Sequence, residues 1–112
     1  MATQTPKLLG QGRYANTTVN TLYTVPASTT AQLTSLRVCN TTATVATVRI
    51  FIAASGGTAD QTTAIVYDFN IPANDYHEFI EKPIIIEAAG TVKVQNGTSS
   101  AITFTASGLE LA

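Results

Sequence analysis

Tryptophan is absent from the 112 residues, and cysteine and histidine each occur once. With Cys39 alone, neither an intrachain disulfide nor a cysteine-based zinc site can form. In its β-rich surroundings Cys39 is expected as a small buried hydrophobe. With His77 alone, a histidine pair or a histidine-rich metal site is excluded, and a surface or interface position is expected for it. The missing tryptophan weakens a carbohydrate-stacking module, although four tyrosines are present to substitute. Charge is scarce too: charged residues make up 12% of the chain and the net charge is −1. That leaves no basic footprint for nucleic acid or for an anionic membrane. No apolar run approaches the roughly 18 residues a membrane helix needs. The N-terminal stretch is polar and lacks the apolar core of a secretion signal, so a protein made in the cytoplasm is expected.

The parts of an active site are missing as well. No G-x-S-x-G elbow accompanies His77, although Asp68 and Asp75 are there to orient it. Asp60, Asp68 and Asp75 stand apart without calcium-loop spacing. Glu78 with Glu81 or Glu87 stays open as a carboxylate pair, with nothing in the sequence pointing to it. Gly56-Gly57 is followed by no lysine and no helix start, so it is not a phosphate loop. Asn16, Asn40 and Asn96 each head a glycosylation-type triplet, which threonine richness produces by chance. A non-enzymatic protein with no cofactor and no metal is expected.

What the chain does have is 45% hydrophobic residues, with threonine in place of the missing charge. Threonine, valine and isoleucine suit a pleated, half-buried surface, so the composition points to an all-β domain. The stretch Asn20 to Asn40 states the pattern: two β-rich runs flank Pro26-Ala27-Ser28-Thr29-Thr30. Proline ends a strand or sits at its margin, and a hairpin or tight strand connection is expected here. From Ala43 to Ala53, Ala46, Val48, Ile50 and Ile52 alternate with Val45, Thr47, Arg49 and Phe51, a period of two with the first set facing a core. Arg49 belongs to the opposite face, solvated or packed on an interface.

Ala54 to Gln61 reads as a loop, and Thr62 to Phe69 alternates again with Ile65, Tyr67 and Phe69 on one face. Pro83 leads into Ile84-Ile85-Ile86, a run suited to a strand buried on both faces. Asn96-Gly97 is the strongest turn signal, and Ala101 to Ala106 is the last strand. About eight strands at spacings of roughly 8 to 14 residues predict a single β-sandwich, jelly-roll-like, of two four-stranded sheets over residues 19–112.

Residues 1–18 read as an extended N-terminal arm, because Pro6, Gly10 and Gly12 interrupt regular structure. Lys7, Leu8, Leu9, Arg13 and Tyr14 give the arm two cations, apolar area and an amphipathic ring, and are the assembly-interface candidates. Cutting residues 1–15 is expected to leave the domain folded. A charge-poor surface is more comfortable in an assembly than on a free monomer.

Leu22 to Ala27, Leu36 to Asn40, Ile71 to Asp75 and Glu87 to Thr91 carry a further signal. Together they resemble the small β-sandwich structural proteins of tailed bacteriophages, with Ser28 where glycine is more usual and Gly90-Thr91 where Gly-Asp is common. The resemblance implies a virion structural protein: a capsid decoration (cement) protein or, as the alternative, a neck, tail or fibre accessory module that could recognise a host glycan. The implied partners are the major capsid protein or another virion protein. A homo-oligomer, as a trimer, is the expected form.

Overall fold

The computed structural model describes residues 3–112. Its nine strands are β1 (Gln4–Arg13), β2 (Asn20–Thr24), β3 (Thr30–Asn40), β4 (Ala46–Ala53), β5 (Ala64–Ile71), β6 (Tyr76–Glu78), β7 (Ile84–Ile86), β8 (Thr91–Asn96) and β9 (Ile102–Leu111). One sheet has the order β1-β9-β3-β6 with β7 also on β3, and the other has the order β2-β8-β4-β5. Every pairing is antiparallel. The chain behaves as a ribbon doubled back at the β4–β5 hairpin. β1 lies on β9, β2 on β8, β3 on β6 and β7, and the ribbon wraps until β9 meets β3 and β8 meets β4. That order is a jelly roll. The sandwich predicted from strand count and spacing is therefore present, with one sheet of five strands rather than four.

Alternation places one face of each strand between the sheets. Leu33, Leu36, Val38, Val48, Ile50, Ile71, Val92, Val94, Ile102 and Phe104 are fully buried there. Ala46, Val48 and Ile50 face the core as expected, while Ile52 packs only at its margin. Phe51 and Ala53, on the other face of β4, are also buried. Gly57 in the following loop lies against Ala53, so the loop closes over that end of the strand.

Several expectations change. Asn20–Asn40 is not a hairpin: β2 and β3 lie in opposite sheets, and the turn between them carries the chain across. Val25 fixes that crossing by donating to the Gly90 carbonyl (2.9 Å) and accepting from the Ala89 amide (3.0 Å). Ser28 sits in the left-handed region at φ 58°, which glycine occupies without strain.

β7 is an edge strand that pairs only with β3, so Ile85 is exposed and only one face of the isoleucine run is covered. Cys39 is half-buried on the outer face, because Val38 and Asn40 on either side of it point inward.

The expected arm is extended, but Gln4–Arg13 does not stand apart. It runs along β9 from Gln4 opposite Leu111 to Arg13 opposite Thr103. The glycines that looked like breaks allow close packing instead. A Cβ on Gly10 would collide with the Leu22 carbonyl oxygen where β1 passes over β2. Removing residues 1–15 would therefore strip an edge strand and leave one side of β9 unpaired, contrary to the expectation that the domain stays folded.

Candidate functional site

The expected interface residues divide by side-chain direction. The β1–β9 register slips between Leu8 and Gly10, so Leu9 is the bulged residue and turns inward. Leu9 is 8% exposed and belongs to the core, whereas Leu8 is 52% exposed. Tyr14 is also taken up by the fold. Its ring packs on the core 6.2 Å from that of Phe104, and burial pushes its hydroxyl pKa up. Its carbonyl accepts from the Ser100 amide at 3.0 Å. Lys7 and Arg13 are exposed, and each has an internal partner: Lys7 Nζ lies 3.3 Å from Glu110 Oε1, and Arg13 Nε donates to the Ser100 carbonyl at 2.8 Å. Of the five candidates, Leu8, Lys7 and Arg13 are exposed, Tyr14 is half-buried, and Leu9 is buried in the core.

Glu110 anchors this margin. It accepts from the Tyr23 hydroxyl and from Lys7, so one carboxylate ties β9 to β2 and β1. The Tyr23 bond, ahead of Lys7, holds the Glu110 carboxyl below its ordinary range. Burial, followed by the same bond, raises the Tyr23 hydroxyl.

On the far side, Glu78 does backbone work. Between β6 and β7 the ladder along β3 lapses, and the Glu78 carboxylate accepts the Leu36 amide (2.8 Å), the Ile80 amide (3.2 Å) and the Ser35 hydroxyl (2.5 Å). Burial raises the Glu78 pKa, but these donors outweigh it and leave the group lowered. Glu78 is thus a structural carboxylate, one a sequence reading could only consider as half of a catalytic pair.

The catalytic parts weighed in the sequence are used elsewhere. His77, exposed as expected, packs against Phe69 (4.7 Å) and Phe79 (4.6 Å), bridging β5 of one sheet to the β6 side of the other. Asp60 accepts from Thr58 and Thr62 in its own loop, led by the Thr62 hydroxyl, which lowers its pKa. Asp75 takes the amide of Tyr76 at 2.7 Å. Among the described residues no cluster of three or more His, Cys, Asp or Glu could hold a metal ion. Two of the three glycosylation-type asparagines are buried. Asn40 donates to the Thr44 and Ile71 carbonyls at 2.8 and 3.1 Å, and Asn96 donates to the Tyr14 and Thr98 carbonyls.

The group that sequence reasoning missed lies on β4 and β5. The β4–β5 register shifts twice, between Val48 and Ile50 and between Ile50 and Phe51. At the first shift a single residue, Arg49, faces two, Tyr67 and Asp68. Its guanidinium lies 4.1 Å from the Tyr67 ring centre and forks onto Asp68 at 2.6 and 3.2 Å. Bonding to Asp68 raises the Arg49 pKa, and the same bond lowers that of Asp68. Ile65, Tyr67 and Phe69 are 43%, 43% and 40% exposed, so the apolar residues of this strand face outward. The run of alternating residues signalled a strand, but period-two counting cannot place bulges.

No protein-family model and no curated protein sequence matches the chain. Among solved structures, the fold is similar to a chain in the structure of infectious bursal disease virus, Gx strain, at a TM-score of 0.50 and 16% identity. The match covers 98% of this chain and 31% of that one, so this chain spans about a third of its length. The likeness is one of fold.

Proposed function

We propose that this chain is a non-enzymatic bacteriophage virion structural protein that decorates the capsid and cements the assembled shell. The observation that carries this reading is the complete jelly roll, shared over 98% of the chain with part of a chain in a virus structure. The charge-poor composition and the residues resembling tailed-phage structural proteins support the same role. The partners are the major capsid protein and further copies of this chain, assembled as a homotrimer in the virion after synthesis in the host cytoplasm. A protein that binds only the finished shell stabilises it by mass action, without any catalytic group.

The test uses particles assembled with and without the chain and heated at two salt concentrations. Particles lacking it should release their contents at lower temperature, and adding the purified protein back should restore resistance. Equal resistance with and without it rejects the cement role. Labelling confined to the tail or neck of intact particles would favour the accessory-module alternative.

A further inference from the structure

The Arg49 group is used neither by the core nor by the proposed shell role. Asp68 sits at φ 54°, a left-handed backbone that aspartate enters more readily than most residues other than glycine. Bulges in edge strands re-aim side chains, and here they turn Tyr67 and Asp68 towards the same cation. Beside them lies a recess of about 130 Å3 lined by Thr47, Val48, Arg49, Asp68, Gln95 and Gly97.

The hydrogen-bonding inventory of this recess is specific. Arg49 commits Nε and one N–H of Nη2 to Asp68, which leaves the second N–H of Nη2 and both of Nη1 as donors. Gln95 donates its amide nitrogen to the Thr17 carbonyl at 2.9 Å, so its side-chain oxygen remains as an acceptor. Asp68 has further lone pairs, and Thr47 brings a hydroxyl that both donates and accepts. Donors and acceptors are thus interleaved over a pair whose charges cancel. An anion would meet Asp68 and a cation would meet Arg49. A neutral ligand with adjacent hydroxyls, each both donor and acceptor, matches the set.

We propose that this recess is a subsite for a single ring of a neutral saccharide. Its volume is well below the roughly 300 to 1,000 Å3 of pockets that take drug-sized ligands, so one ring is the largest fit. Affinity per copy is accordingly weak, with Kd about 1 mM or higher. Many copies on one particle would strengthen it by avidity; only that last step rests on the virion role.

The test titrates galactose, glucose, N-acetylglucosamine and N-acetylneuraminic acid into the isotopically labelled full chain and follows backbone amide shifts. At least one neutral sugar should shift Thr47, Arg49, Asp68 and Gly97 saturably. Asp68→Asn should weaken that response tenfold or more while the rest of the spectrum is preserved, because asparagine tolerates the left-handed backbone. Arg37→Ala, which removes the other arginine-on-tyrosine contact at Tyr76, should leave binding unchanged. The proposal is overturned if no neutral sugar shifts these amides, if the shifts map elsewhere, or if only N-acetylneuraminic acid binds. Because the isolated chain is measured, the outcome is independent of the particle-heating experiment.

Discussion

The two open margins of the sandwich are closed by different means. At the β1/β2 margin the backbone does most of the work: a ten-residue strand follows β9 for its whole length, and Gly10 lets it rest on the Leu22 carbonyl. The Glu110–Tyr23–Lys7 set then ties the layers together. At the β5/β6 margin the backbone falls short, because β6 has three residues and β5 is bulged. Side chains complete that closure, with Phe69, His77 and Phe79 packed edge-on and tilted against one another across the margin and Glu78 standing in for missing ladder bonds. A bulged edge is also protected against adding a foreign strand. The first margin is built for rigidity, whereas the second presents aromatic and charged side chains to solvent.

The largest expected effect removes the core that both margins share. Ile50→Asp places an unpaired charge at a fully buried site and should cost about 4 kcal/mol or more, abolishing the folded signal in circular dichroism. A folded variant would mean that this face of β4 is not the core face.

Gly10→Val attacks the backbone-closed margin alone. Its Cβ would press on the Leu22 main chain, which cannot swing aside, so a loss of about 3 kcal/mol is expected in urea unfolding.

At the side-chain-closed margin, Glu78→Gln should cost about 1.5 kcal/mol at neutral pH through weakened charge-assisted bonds. The Glu78 pKa is lowered in the folded state from an ordinary 4.5. Its contribution is therefore complete above 4.5 and is lost as pH falls through the lowered value. The melting temperature of the unaltered protein should drop in that acid window, and the Glu78→Gln curve should be flatter there. Glu110 has the same sign at the other margin, so the double variant with Glu110→Gln should flatten the curve further.

Phe69→Ala should cost only about 1 kcal/mol, since a half-exposed ring loses its aromatic partners but little burial. If it costs as much as Gly10→Val, the contrast between the margins fails.

The smallest effect is a gain. Ser28→Gly relieves a left-handed residue and should raise stability by about 0.5 kcal/mol, after the entropy that glycine adds to the unfolded chain.

The strands were legible where alternation was clean. Val48 and Ile50 read correctly as core, whereas Asn96 of the Asn96-Gly97 signal is the buried last residue of β8, and the loop after it crosses to β9 in the other sheet. Gly10 and Leu9 did not read correctly, because a glycine that breaks a strand and one that admits a crossing strand look alike in one dimension. Ile84-Ile85-Ile86 looked doubly buried for a similar reason: hydrophobic character does not reveal whether a second layer lies outside. Of the candidate site, Arg49 was placed on the outer face, but nothing local in the sequence joined it to Tyr67 and Asp68.

The sequence by itself determined an all-β sandwich without cysteine or histidine clusters, since composition and period-two burial are local properties summed along the chain. The tertiary structure alone decided which strands cross between sheets, where the register slips, and which side chains meet. Those depend on pairings distant in sequence, such as Tyr23 with Glu110 and β1 with β9. A bulge of one residue is enough to turn an expected interface leucine into core, and to gather an arginine, a tyrosine and an aspartate into one site.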